Sequence, residues 1–368
     1  MIPHSFKAYL IDQKDDKTIS RFVNMTTSQL DPGEVTVKVA YSSINYKDAL
    51  AATGKGKIIR RFPCVGGIDL AGTVVDSQDS RFELGQQVLA TSYDLGVAHH
   101  GGYAEYARVP ADWLIPLPDG MTLLDSMALG TAGYTAALSI IRMEENGLRP
   151  ENGKVLVTGA TGGVGSLAIN ILAKLGYAVV ALTGKQDATD YLRHIGTEQI
   201  LLRQDTNFAK IRSLDTAHWA GALDNLGGEP LAWILSTMQQ NGVIASVGLA
   251  AGTDLHTTVM PFILRGVSLL GIDSGYTAMP RRTQVWHRLA TDMRPDKLKD
   301  ITQLVEFEAI ETRFHTLIQA QSQGRIVVEM NARMLAKRMV FLSKRLAPDH
   351  LAFNEALDDA AGDHLGEH

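Results

Sequence analysis

Apolar and polar positions along this chain fall into two regimes. Up to about residue 124 the apolar runs are short: residues 6–11, 19–22 and 34–41 read as strands, the last alternating with Val35, Val37 and Val39 on one face. Turn-forming groups separate them at Asp31-Pro32-Gly33-Glu34, Gly66-Gly67, Asp79-Ser80, Gly101-Gly102 and Pro118-Asp119-Gly120. Many short strands between such turns predict a compact, partly closed β-rich domain that faces the substrate. Residues 129–137 then open a helical stretch of small side chains, and from Lys154 onward strands alternate with helices.

The clearest unit of the second regime is a strand at 154–158, a glycine turn Gly159-Ala160-Thr161-Gly162-Gly163-Val164-Gly165, and a helix at 166–175 with Leu167, Ile171 and Leu175 on one stripe. Gly176 closes the helix, and a second strand follows at 178–182. Further segments continue the pattern: a helix at 189–195, strands at 199–202 and 219–223, a helix at 231–238, and strands at 243–247 and 267–271. This order predicts a doubly wound parallel sheet of the Rossmann type, with a ligand across the strands' carboxyl ends. Residues 286–305 read as helical, and a short strand at 325–329 is expected to return to the first domain. The division expected is residues 1–125 for the β-rich substrate and catalytic domain, 126–300 for the nucleotide-binding domain, 301–330 for the return, and 331–368 for an appended tail whose basic helix-like start gives way to an acidic end.

Glycines in the turn let bare backbone N–H groups at a helix N-terminus approach a pyrophosphate. At the end of the second strand, where an NAD site usually carries a carboxylate, the chain has Thr183-Gly184-Lys185, with no acid before Asp187. A 2′-phosphate suits Lys185, a hydroxyl and Arg203 from the next loop, so the cofactor expected is NADPH.

Of the 368 residues 45% are hydrophobic, enough for two cored domains, and the formal net charge of −5 argues against a nucleic-acid partner. No apolar run approaches a membrane span and the first residues lack a secretion-type apolar segment, so the expectation is a cytoplasmic protein with no membrane partner. Cys64 is the single cysteine, which excludes an intramolecular disulfide and a cysteine-rich zinc lobe.

Candidate chemistry concentrates at the end of the 34–41 strand, in Tyr41-Ser42-Ser43-Ile44-Asn45-Tyr46-Lys47-Asp48. Tyr41 and Asn45 are neutral donors able to hold a carbonyl or a nicotinamide ribose. Lys47 and Asp48 read either as a phosphate cation and its opposite number or as solvated charges beside a helix cap. Lys55, Lys57, Arg60 and Arg61 make a basic loop suited to a phosphorylated handle such as that of coenzyme A, or a plain solvated charge run. Asp69, in a tight glycine turn, reads as structural. His99 and His100 are neighbours in an extended segment, so they point apart and no metal is expected.

With these pieces in place, the chain resembles the medium-chain dehydrogenase/reductase superfamily, in its zinc-free quinone-oxidoreductase branch and more closely the acrylyl-CoA reductase subfamily. The stretches that carry the likeness are YSSINYKDALAATGKGKIIRRFP, GIDLAGTV, LGTAGYTA, VTGATGGVGS, GLAAG and TTVMPFILRGVSLLGIDS, spread over residues 5–330. The resemblance implies a GroES-like first domain and a Rossmann second domain. It implies NADPH-dependent reduction of the conjugated double bond of acrylyl-CoA to propionyl-CoA, with reduction of a quinone or a free enone as the alternative within the class and a non-catalytic nucleotide sensor as the alternative outside it. By the same resemblance Tyr41 and Asn45 line the nicotinamide and the substrate carbonyl as catalytic residues, Tyr41 being one candidate proton donor. Gly162, Gly163, Val164, Gly165 and Ser166 hold the pyrophosphate; Thr183, Gly184, Lys185 and Arg203 hold the 2′-phosphate; Val247 and Leu249 lie under the nicotinamide. Residues 96–101 depart from the family pattern and the tail extends beyond its usual end. A homodimer is expected, with 267–271 as the edge strand that pairs two copies.

Overall fold

The computed structural model describes residues 2–208 and 210–330, and the expected tail lies outside them. A hairpin of β1 (Phe6–Lys14) and β2 (Lys17–Met25) opens the chain. It is followed by β3 (Val35–Ile44), α1 (Tyr46–Thr53), β4 (Cys64–Val65), β5 (Asp69–Ser77), β6 (Gln87–Thr91), β7 (Tyr106–Val109) and β8 (Ile115–Pro116). Helix α2 (Leu123–Glu145) leads to β9 (Val155–Thr158), α3 (Gly163–Lys174), β10 (Val179–Thr183), α4 (Thr189–His194) and β11 (Gln199–Leu202). Next come β12 (Trp219–Asp224), α5 (Gly228–Thr237), β13 (Met238–Ser246), α6 (Met260–Arg265) and β14 (Ser268–Gly271). The last elements are α7 (Met279–Ala290), α8 (Leu298–Ile301), β15 (Thr302–Glu306), α9 (Ile310–Ile318) and β16 (Arg325–Glu329).

Among the described residues the strands form three sheets. A six-stranded sheet has the order β11-β10-β9-β12-β13-β14 with every pairing parallel, as strands joined by crossover helices must be. A seven-stranded sheet runs β15-β16-β3-β5-β6-β8, with β7 also on β3, and a three-stranded sheet runs β2-β1-β4. Val35, Val37 and Val39 face the interior as their alternation requires. As expected, β16 returns to the first sheet, antiparallel to β3 with Glu329 opposite Tyr41.

One expectation fails. Residues 286–305 are not a continuous helix: α7 ends at Ala290, and Thr302–Glu306 is a strand parallel to β16. Pro295, which has no N–H to donate, falls in the interruption, and the β-branched Thr302 and Val305 find a strand partner that periodicity along the chain cannot reveal.

Helix α2 links the two large sheets. Its Met127, Leu129, Ala132 and Tyr134 belong to one apolar core with Ala71 and Val327 of the seven-stranded sheet, Val155 of the parallel one and Leu167 of α3. Gly130 breaks it at φ 51°, ψ −154°, a conformation open only to glycine. A Cβ there would lie 2.6 Å from Asp69 Oδ2 and 2.8 Å from Arg325 Nη2, so the kink lets the helix pass against buried charges. No helix among the described residues is long and apolar enough to cross a membrane.

Candidate active site

The glycine turn leaves β9 through Gly159 at φ 58° and enters α3 with Gly162 as its cap. A Cβ on Gly165 would sit 2.4 Å from the Gly159 carbonyl oxygen, so the turn closes only without a side chain. The first N–H groups of α3 have no acceptor inside the helix and gather at its positive end, the arrangement that receives a diphosphate. Gly162 is exposed and Gly163 and Val164 half-buried, which leaves this end open. Ser166 corrects the sequence reading: it is fully buried, its hydroxyl donates to Ala160 O at 3.2 Å and its N–H to Gly162 O, so its side chain faces the interior and not the open side of the turn.

Parallel pairing sets the other cofactor candidates along the carboxyl ends of neighbouring strands. Thr183 of β10 is opposite Leu202 of β11, so the residues that follow, Gly184-Lys185 and Arg203, leave the same edge side by side. Thr183 Oγ1 accepts from Lys185 N at 3.0 Å, which turns the chain there. The Lys185 ammonium donates to Ser322 O at 2.6 Å, and partial burial lowers its pKa, with Asp187 opposing. Arg203 is exposed. Val247 follows β13, its N–H bonded to Asp224 O at 2.8 Å, and Leu249 stands 67% exposed beyond it. Asp224 itself is fully buried, accepting from Thr158 Oγ1 at 2.7 Å and Gly227 N at 2.7 Å, and it locks the loops after β9 and β12 together.

The opposite wall is a buried polar cluster. Asn45 caps α1 and Asp48 returns a bond to its N–H, a capping box, because the chain turns from strand to helix between them. Asp69 accepts from Ser43 Oγ at 2.5 Å, Asn45 Nδ2 at 2.8 Å, Thr131 N at 2.9 Å and Thr131 Oγ1 at 2.5 Å. Arg325 enters from β16 and donates to Ala128 O, Asn45 Oδ1 and Ser43 Oγ, the last at 2.8 Å. Tyr103 donates to Ser43 O at 3.0 Å. Burial, then the charge of Asp69, lifts the Asp48 carboxyl from 3.8 to about 7, and burial lowers the Arg325 guanidinium from its ordinary value.

Several expectations change here. Asn45 was read as a free donor to a carbonyl; its amide N–H groups and its oxygen are committed to Asp69, Asp48, Ser43 and Arg325, which makes it a residue that positions others. Tyr41 is half-buried and its phenol donates to Glu329 Oε1 at 3.4 Å. Lys47 is exposed, whereas Asp48 is neither solvated nor its partner, being 2% exposed and bonded to Ile68 N at 2.9 Å. The basic loop divides: Arg61 is held by Asp31, Arg60 by Asp94 and Tyr276, while Lys55 and Lys57 stay exposed. His99 and His100 bond to Pro32 O and Val65 N in different directions, and among the described residues no three His, Cys, Asp or Glu side chains gather as a metal site.

Arg325, Thr131 and the hub role of Asp69 escaped the sequence reading. The signal for Arg325 was present, a charged residue opening the otherwise apolar run Ile326-Val327-Val328, since an arginine is buried only where partners await it.

Comparison with known proteins bears on what this cleft does. Residues 31–119 match the alcohol dehydrogenase GroES-like domain and residues 163–291 the zinc-binding dehydrogenase family. YhfP of Bacillus subtilis, provisionally named a quinone oxidoreductase, is 47% identical over 326 residues, covering 88% of this chain and 99% of that one. Its crystal structure with NAD bound superposes with a TM-score of 0.87 over 89% of this chain and 100% of that one. The Escherichia coli YhdH structure with bound NADPH is 46% identical, TM-score 0.85, covering 88% and 100%. The acrylyl-CoA reductase AcuI of Ruegeria pomeroyi is 44% identical over 329 residues, 89% of this chain and 100% of that one.

Proposed function

Because the chain belongs to the medium-chain dehydrogenase/reductase superfamily, in the zinc-free branch that holds quinone oxidoreductases and acrylyl-CoA reductases, we propose that it reduces an activated carbon–carbon double bond with NADPH. The acceptor is a small molecule whose double bond is conjugated to a carbonyl: one hydride goes to Cβ, one proton to Cα, and the C=C π bond is lost. The observation that carries this reading is the meeting of two walls. Gly163 of the nucleotide turn packs against Arg325, its added Cβ falling 3.0 Å from the arginine Cδ, so the pyrophosphate turn abuts the Ser43–Asn45–Asp69 cluster.

NADPH, when bound, supplies the hydride. The turn at Gly162, Gly163, Val164 and Gly165 fits its pyrophosphate, since it presents the first N–H groups of α3 at an open end where Gly162 is exposed. Thr183, Gly184, Lys185 and Arg203 fit its 2′-phosphate, with two cations and no carboxylate ending β10. Val247 and Leu249 follow β13 and are suited to support the nicotinamide. Tyr41, half-buried with its hydroxyl donating to Glu329, is the group suited to pass a proton to Cα, and Asn45, Asp69 and Arg325 hold the strand end that carries it. A thioester or ketone carbonyl spreads the charge left on Cα, so this chemistry does not require a Lewis acid.

An uncharged enone or quinone is the acceptor the site suits first, because Arg60 and Arg61 of the basic loop hold carboxylates that an anionic acceptor would have to displace. Acrylyl-CoA, giving propionyl-CoA, is the second reading, favoured by the exposed Lys55 and Lys57 and by the activity named for the Ruegeria relative. Purified full-length protein mixed with NADPH and, separately, methyl vinyl ketone, a benzoquinone and acrylyl-CoA tests the proposal by loss of the reduced-nicotinamide absorbance. No oxidation above background with any of the three overturns it.

A further inference from the structure

Arg60 sits in a three-membered clasp at the seam between the two large sheets. It comes from the loop after α1, Asp94 from the loop after β6, and Tyr276 from the segment after β14. Arg60 Nη2 donates to Tyr276 OH at 2.6 Å and to Asp94 Oδ1, and the Tyr276 hydroxyl donates to the same carboxylate oxygen at 2.8 Å. The arginine and aspartate side chains are 54% and 35% exposed, so an anion arriving from solvent can reach the guanidinium.

Asp94 is aimed there by a rigid segment. Ser92 and Tyr93 before it are consecutive non-glycine residues at φ 62° and 51°, a conformation that persists only where its surroundings enforce it. Ser92 N bonds Ile68 O, Tyr93 N bonds Gly275 O, and the fully buried Arg282 lies 4.3 Å from the Tyr93 ring centroid. The same segment reaches the buried polar cluster that holds the end of β3, because Ser92 Oγ is 3.0 Å from Thr131 Oγ1, which bonds Asp69. Asp94 is therefore two residues along the chain from Ser92, whose hydroxyl touches that cluster through Thr131. Lys55 and Lys57 of the same loop make no ion pair with a described residue, while Arg61 is tied to Asp31 and Ala98 O and serves the fold.

We propose that Arg60 is the anchoring cation for an anionic group on the acceptor and that Asp94 is its built-in competitor, the pair setting how well a phosphate-bearing acyl thioester is taken relative to an uncharged enone. This rests on the reductase reading above. An exposed arginine–carboxylate pair is weakly held, and a phosphate presents more charge and the oxygen spacing for a bidentate contact, so coenzyme A displaces Asp94 at a cost that the enzyme sets by keeping the acid. Asp94 thus acts as a filter on the acceptor and touches no reacting atom.

The test compares Asp94→Asn, Arg60→Gln and the double variant in the full chain. With NADPH, Asp94→Asn lowers KM for acrylyl-CoA about three- to fivefold and leaves KM for methyl vinyl ketone unchanged, and Arg60→Gln removes that gain. Calorimetric titration of the NADP⁺-loaded protein with coenzyme A itself gives the same order of affinities without turnover. An Asp94→Asn change that alters both acceptors equally, or coenzyme A binding that stays within about twofold across all variants, overturns the proposal. Failure of every acceptor to be reduced counts instead against the reductase reading, and the coenzyme A titration still decides the role of Arg60. Tyr276→Phe, which removes one member of the clasp and no charge, gives a smaller gain in the same direction.

Discussion

Arg325 and Asp69 meet through Ser43. The arginine donates to the serine hydroxyl at 2.8 Å, and that hydroxyl donates to the carboxylate at 2.5 Å. The charges are thus joined by an oxygen that accepts on one side and donates on the other, and neither strand end can shift without breaking the relay.

Ser43→Ala leaves a buried guanidinium N–H and a buried carboxylate oxygen each short of one partner. A loss of about 1–3 kcal/mol is expected, read by urea unfolding, with a drop in turnover from the displaced Tyr41. Because Ser43 lies on β3 beside Tyr41's own neighbours, unchanged turnover in a destabilised variant separates the relay from catalysis.

Asp48 makes stability depend on pH. Its folded pKa of about 7 lies above the ordinary 3.8, so between those values the folded chain keeps a proton that the unfolded chain has released. The favourable contribution is complete below pH 3.8 and is lost as pH rises through 7, by about 1.4 kcal/mol for each unit between them. Asp48→Asn removes this slope. Unfolding free energies of the two proteins from pH 4 to 8 check it: the wild type declines relative to the variant as pH rises, and parallel curves count against a raised Asp48.

How far these groups were legible follows from the range of each signal. The glycine turn, β9, α3 and β10 carry local patterns of period, cap and steric demand, and all are found in the expected order, with α3 starting three residues early, at Gly163. Tyr41 to Asp48 was legible as a polar cluster at a strand end. What Asn45 does was not, because its role comes from Asp69 and Arg325, which lie 24 and 280 residues away. Residues 302–305 were misread as helix for the same reason, since only β16 makes them part of a strand.

Lys185 is expected to discriminate between cofactors. Lys185→Met raises KM for NADPH at least about tenfold, the scale of one charge-assisted hydrogen bond, and leaves KM for NADH unchanged. Lys185→Arg adds a forked donor and sharpens the preference for NADPH. Steady-state kinetics with both nucleotides and one acceptor distinguish these outcomes from a general loss of fold.

The outer edge of β14 and the neighbouring α6 are expected to join two copies of the chain. Ile263 is 73% and Val259 64% exposed in and just before α6, the helix that leads into β14, an edge strand whose outer backbone groups have no strand partner among the described residues. Light scattering is expected to give a dimer for the full chain and a monomer for Ile263→Glu. A monomeric wild type at micromolar concentration rejects the interface.

The late return of β16 has a consequence for how the chain is made. Tyr41 and Glu329, side by side in one sheet, are separated by 288 residues. On the ribosome the whole parallel sheet emerges and can fold while residues 41–44 of β3 still lack their partner on one side. The first sheet remains unfinished until almost the last described residue has been synthesised, so the growing chain is most open to mispairing between copies on one polysome during that interval.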